Sequence, residues 1–194
     1  MLIKNEFQVA APPDKVWQFF GNIPQVAACL PGTELTDDLG GDKYEGRVAV
    51  RMGPVRLRFA GKADITERDE AAKRLVVSAT GAEEKGRGQA SMVVTATLAA
   101  AGRGTKVSVS QDLQLSGAAA QYGRGMISDV TAVLMRDFAV NLADRIDRAE
   151  RGEALTGQAT AASPASGFTL GMRAALMALR RVFRRFFVPY QAAS

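Results

Sequence analysis

The chain has 194 residues, 47% of them hydrophobic, which suits one domain of ordinary size with an appendage and excludes global disorder. Its 25 basic and 20 acidic residues leave a net charge of +5; five arginines and no acid follow Ser166, so the other 20 basic residues balance the 20 acids. Histidine is absent, which excludes a histidine triad and any zinc site needing imidazole, and the single cysteine, Cys29, excludes an intrachain disulfide and fits a reducing compartment.

The opening MLIKNEFQVAAPPDKVW lacks a basic stretch followed by ~7–15 apolar residues, so no secretory leader is predicted. Leu2–Val9 reads as a strand. Ala11-Pro12-Pro13-Asp14 is helix-start chemistry, because proline's missing N–H costs nothing in the first turn and Asp14 favours the positive end of the dipole. Val16, Trp17, Phe19 and Phe20 make this first helix amphipathic. Gly21-Asn22 ends it, and Ile23–Leu30 reads as a second short helix closed by Pro31-Gly32.

From Thr33 to Leu115 the period changes to strands separated by turn signals. The predicted strands are Glu34–Leu39, Lys43–Met52, Val55–Glu67, Arg74–Glu84, Gln89–Ala100 and Thr105–Leu115, seven with the first. Their connections are short enough for an antiparallel meander. Gly86-Arg87-Gly88 is read as a hairpin turn, and the pairs Glu83-Glu84 and Asp37-Asp38 as solvated strand ends. After Ser116-Gly117 the spacing of Tyr122, Met126, Val130, Val133, Leu134, Phe138, Leu142 and Ile146 predicts a helix to about Arg151. At 1.5 Å per residue this helix is roughly 45 Å long, enough to cross the concave face of a sheet. Gly123 and Gly125 near its start would allow close helix–sheet approach or access for a ligand.

Gly152–Gly167 is rich in Ala, Thr, Ser, Gly and Pro and reads as a flexible linker between a domain over 1–151 and a helix over 168–190. On a helical wheel Met172, Leu176, Leu179, Val182, Phe183, Phe186, Phe187 and Tyr190 fall within an arc of about 140°, and Arg173, Arg180, Arg181, Arg184 and Arg185 take the opposite side. Large apolar groups facing arginines, with no acid, describe a helix that lies in an anionic membrane surface. The same pattern serves a partner's groove or self-packing; the linker argues against self-packing. No stretch reaches the ~18 apolar residues of a spanning helix. The neutral body, and phenylalanines lying opposite the arginines rather than among them, predict no nucleic-acid partner.

One strand, two short helices, six strands and a long helix is the order of the helix-grip (START-like, SRPBCC) fold, which the chain resembles. That α+β fold wraps a curved seven-stranded antiparallel sheet around its long C-terminal helix and leaves an apolar cavity suited to lipids, sterols, quinones or polyketides. Candidate pocket-lining residues are Trp17, Phe20, Met52, Phe59, Tyr122, Met126, Val130 and Phe138, any of which could equally be close-packed core. Cys29 is read as a small buried residue, since nothing near it in sequence would make its thiol nucleophilic.

APPDKVWQFF, the ACLPGTEL segment around Cys29, YEGRVAVRMGPVRLRFAGKADI, GQASMVVTATL and GAAAQYGRGMISDV carry a closer similarity, to the carbon monoxide dehydrogenase G-subunit (CoxG) family. It covers Met1 to about Arg151. The resemblance implies a non-catalytic accessory protein of a molybdenum-containing carbon monoxide dehydrogenase or related hydroxylase. Such a protein would bring its client to the inner face of the cell membrane, staying cytoplasmic and peripheral itself. No covalent cofactor and no metal is expected, and the bound small molecule would be a quinone or lipid. Alternatives are an assembly or maturation factor with no stored ligand, and a polyketide-cyclase-like enzyme, for which Tyr122 with a nearby carboxylate would be the visible candidates.

Overall fold

The computed structural model describes residues 1–153 and Leu155. The membrane-docking residues Met172, Arg173, Leu176, Leu179, Arg180, Arg181, Phe183, Arg184, Arg185, Phe186 and Phe187, and nearly all of the linker, lie outside the described residues.

Strand β1 (Leu2–Val9) leads into helices α1 (Pro13–Phe20) and α2 (Ile23–Cys29). Pro12 and Pro13 start α1 with Asp14 in its first turn, and the Asn22 side chain caps α2 by accepting from the Gln25 N–H at 3.2 Å. Six strands follow: β2 (Thr33–Gly40), β3 (Lys43–Met52), β4 (Val55–Asp69), β5 (Arg74–Glu83), β6 (Gln89–Ala101) and β7 (Gly104–Leu115). The sheet order is β1-β7-β6-β5-β4-β3-β2, every neighbouring pair antiparallel, so the meander closes back onto the first strand. A short 3₁₀ turn (Gly117–Gln121) then leads to the long helix α3 (Arg124–Glu150).

The predicted α+β helix-grip architecture is therefore the one observed, and three local differences have simple causes. Gly123 is extended (φ −58°, ψ 152°), so α3 starts at Arg124 rather than Tyr122, and the 3₁₀ turn fills the gap. Leu30 is also extended, ending α2 one residue early. Strand β4 runs on to Asp69 across an irregularity between Ile65 and Glu67, which bends a long strand without ending it.

Alternation along the strands sends Ile3, Asn5, Phe7 and Val9 of β1 to the face that α3 covers, and the Phe7 and Phe138 rings meet edge to face at 5.9 Å. The β4–β5 turn is tied to α1: Lys73, at φ +48°, pairs with Asp14 at 2.9 Å and sits 5.7 Å from the Trp17 ring centre. At the other end of α2, Asn141 of α3 donates to the Cys29 carbonyl at 2.9 Å, and Arg145 donates to the Gln25 side chain at 2.6 Å. These polar clips set where α3 crosses the sheet.

Candidate functional site

The inward residues do not form one continuous core. One buried cluster gathers Trp17, Phe19 and Phe20 of α1, Tyr44 of β3, Val107 and Val109 of β7, and Phe138, Leu142 and Ile146 of α3. A second holds Ile3, Met52, Leu57, Phe59 and Ile127, with Tyr122 packed against it. The predicted pocket residues are thus split: Trp17, Phe20 and Phe138 lie in the first cluster, Met52, Phe59 and Tyr122 in the second. Val130 is buried in neither, and Met126 is 45% exposed on the first turn of α3.

Between the clusters runs a band of small, half-buried inward positions. Strand register places Gly46 opposite Gly61, Gly61 opposite Gly81, and Ala63 opposite Ala79. These residues belong to neither cluster, and they are half-buried. At the β1–β7 side the band becomes polar. Asn5 on β1 and Gln111 on β7 replace what alternation would make apolar residues, and Thr131 on α3 is buried with its hydroxyl donated to the Ile127 carbonyl at 2.8 Å. Neither Asn5, Gln111 nor the glycine row was among the sequence-derived candidates. The signal existed: Gln111 has the parity of Val107, Val109, Leu113 and Leu115.

The rim carries a correction. Glu83, expected to be solvated, is only 4% exposed. Its carboxylate accepts from the N–H groups of Lys85 and Arg87, at 3.0 and 3.2 Å, and from the Arg87 guanidinium at 2.8 and 3.2 Å. Hydrogen bonding from the Arg87 side chain, aided by the backbone donors, holds its pKa down at about 2. The cause is the turn itself: Gly86-Arg87-Gly88 folds back so that its donors converge on Glu83. An open cleft of about 420 Å³ is lined by this turn together with Ser116 and Gly117, and the turn contacts that segment directly, the Ala118 N–H donating to the Arg87 carbonyl at 2.6 Å. The cleft's charged groups already satisfy one another. Glu83→Gln is expected to lower stability at pH 7, where the parent's ionised carboxylate contributes. The gap should close as acid protonates the parent, between the ordinary value near 4.5 and about 2. Chemical denaturation of both proteins at pH 7, 4 and 2 measures this; a constant gap would refute it.

Cys29 is fully buried, its thiol donates to the Gln25 carbonyl at 3.3 Å, and burial pushes its pKa up to about 12. The folded protein should therefore resist a thiol-specific disulfide reagent at pH 8 and react fully in denaturant. Rapid labelling of the native protein would show that the α2–α3 clip opens readily. Among the described residues no group of three or more His, Cys, Asp or Glu could hold a metal ion, and no helix is long and apolar enough to cross a membrane.

Comparison with known proteins agrees with this architecture. The sequence matches the carbon monoxide dehydrogenase G-subunit (CoxG) family over residues 6–147, and the chain belongs to that family. No curated protein matches it. Among solved structures, a conserved protein from Geobacillus kaustophilus is similar with a TM-score of 0.68 at 16% identity, covering 77% of this chain and 97% of that one. A Thermus thermophilus protein has a TM-score of 0.56 at 17% identity, covering 77% and 99%. The ZhuI aromatase/cyclase from Streptomyces sp. R1128 has a TM-score of 0.56 at 16% identity, covering 81% and 99%. At such identities the likeness is one of fold.

Proposed function

We propose that this member of the CoxG family is a non-catalytic accessory protein. It holds an apolar ligand, a quinone by preference, in the helix grip. It brings a molybdenum-containing carbon monoxide dehydrogenase-type enzyme to the inner face of the cytoplasmic membrane. The observation that carries the ligand-binding part is the band of small half-buried residues between the two apolar clusters. A stable core fills its interior to high density, and two clusters kept apart by glycine and alanine leave room for a guest. A quinone is favoured because a redox enzyme directed to a membrane needs an electron acceptor there. The client enzyme is supported by family membership. Membrane docking is supported by the five tail arginines and the apolar residues that a helix would place opposite them.

The deciding experiment is native mass spectrometry of gently extracted protein, followed by organic extraction and identification of what it carried. Recovery of a stoichiometric quinone or other lipophile supports the reading. A protein that emerges empty and also fails to take up added quinone overturns the ligand-binding part and leaves an assembly factor for the same client. The fold shared with an aromatase/cyclase keeps one catalytic alternative in view. Turnover of an aromatic polyketide, lost in Tyr122→Phe, would replace the accessory reading with that one.

A further inference from the structure

The outward face of the sheet, turned away from α3, sets opposite charges together. Glu45 and Lys62, cross-strand partners on β3 and β4, bond at 3.0 Å, and Glu6 of β1 meets Lys106 of β7 at 2.9 Å. Nearer the β3–β4 turn this rule breaks. Arg51 stands directly opposite Arg56, and Arg58 follows on the same face opposite Ala49. Lys85 lies beside them in the β5–β6 turn, where the Glu84 N–H donates to the Arg58 carbonyl at 2.8 Å. The acids of this region are already taken, Glu83 by Arg87 at 2.8 Å and Glu84 by Arg47 at 3.6 Å. Arg51, Arg56, Arg58 and Lys85 are exposed, and none has an ion pair among the described residues.

Like charges set opposite each other on adjacent strands destabilise a sheet, so Arg51 and Arg56 oppose folding where they stand. The chain supplies no counter-charge from elsewhere. Every aspartate and glutamate falls within residues 1–153, and the part beyond adds five arginines. The patch is also separate from the helix grip: Met52, Leu57 and Phe59 alternate with these arginines and turn the opposite way, into the smaller apolar cluster. The ladder from Lys43–Asp64 to Met52–Val55 runs without a break, so the guanidinium groups project from a fixed base.

We propose that the arginine face of the β3–β4 hairpin is a docking surface for a carboxylate-rich face of a folded protein, the client enzyme. The identity of that partner rests on the accessory reading above; the chemistry rests on the patch itself. A guanidinium binds a carboxylate through two parallel N–H···O bonds, a fork that only a correctly spaced acid can meet. Arg56 and Arg58 are two residues apart on one strand, roughly 7 Å, and a rigid acidic surface can engage both at once. An anionic leaflet is a poorer fit. Surfaces that settle into a leaflet join large apolar groups to their cations, as the tail does with phenylalanine and leucine. The exposed large apolar residues of the domain, Leu2, Leu39, Val93, Met126 and Val140, all lie outside this hairpin. Its arginines are set among Ala49, Ala60 and the Gly53-Pro54 turn instead. The two basic surfaces thus divide the work, the tail for lipid and the hairpin for protein.

The test measures affinity of the full chain for the purified molybdenum-containing carbon monoxide dehydrogenase of the same organism, by biolayer interferometry at low and raised salt. Arg56→Glu and Arg58→Glu should each weaken binding about tenfold to a hundredfold, the worth of a charge-assisted hydrogen bond, and raised salt should narrow the difference. Arg56→Glu sets an acid opposite Arg51, so its thermal midpoint should equal or exceed the parent's, which separates lost docking from lost folding. Lys4→Glu makes the same change of charge on the same face, four strands and roughly 19 Å or more away, and should leave affinity within about twofold. If both arginine variants bound as tightly as the parent, or Lys4→Glu weakened binding equally, the docking surface would be overturned and the client reading kept. A parent that does not bind the enzyme overturns both. Variants that keep the enzyme but lose affinity for phosphatidylglycerol vesicles would overturn the proposal by assigning this face to the membrane.

Discussion

Removing residues 167–194 is expected to lower affinity for vesicles rich in anionic phospholipid by about a thousandfold at low salt, leaving the domain folded. The tail holds five arginines and no acid, and each cation near an anionic leaflet contributes about 1 kcal/mol, so together they supply roughly 5 kcal/mol before screening. Burial of Leu and Phe side chains adds at most about 1.5–3 kcal/mol apiece. The balanced charge of the remainder offers no comparable attraction. The truncation begins beyond Leu155, which packs against the larger core cluster, so every described residue of both clusters is retained. Co-sedimentation with vesicles of graded phosphatidylglycerol content measures the effect, which should shrink as salt rises because the Debye length falls to about 10 Å at 0.1 M. A charge-neutral tail, with the five arginines replaced by glutamine, should lose the salt dependence and keep a weaker, apolar component. If the truncated chain sedimented as well as the parent, the membrane proposal would fail and a partner's groove would become the better home for the tail.

The elements were legible because their signals are local. Paired prolines before Asp14, turns rich in glycine at 40–41, 53, 86–88 and 102–104, and the switch from a period of two to one of 3.6 after Ser116 each require only neighbouring residues. The site was less legible because it depends on register. Trp17, Phe20, Met52, Phe59 and Phe138 were candidates as large apolar residues of a fold that leaves a cavity, and the structure divides them between the two clusters. What distinguishes the band is the lack of volume at Gly46, Gly61 and Gly81, three positions far apart in sequence that antiparallel pairing brings abreast. Glu83 escaped for a related reason. A carboxylate at a strand end is ordinarily solvated, and only the fold-back of a tight turn brings three donors of Arg87 onto it. Gln111 could have been found by asking which polar residue breaks the alternation of β7.

Gly61→Ala is expected to destabilise the domain by about 3 kcal/mol or more, although alanine is a better strand residue than glycine when space allows. A methyl group at Gly61 would lie 1.9 Å from the Thr80 carbonyl oxygen and 2.6 Å from the Gly81 Cα, both backbone atoms of the neighbouring strand. No rotamer can relieve that contact; β4 and β5 would have to part, and their pairing runs from Phe59–Glu83 to Asp69–Arg74. Two other glycines separate this cause from the general effect of losing glycine. Gly53 has φ +61° and nothing within 4 Å of the added methyl, so Gly53→Ala should cost only the left-handed strain of about 1–2 kcal/mol. Gly125 sits in the first turn of α3 with neither strain nor a neighbour within 4 Å, and Gly125→Ala should stabilise by about 0.4–1 kcal/mol. Urea midpoints of the three variants should therefore fall in the order Gly125→Ala, parent, Gly53→Ala, Gly61→Ala. If Gly61→Ala proved as stable as Gly53→Ala, the strands would have room to spare at this row. The close approach of β4 and β5 would then not be the reason for glycine there, and a requirement for an unobstructed ligand floor would be the remaining physical explanation.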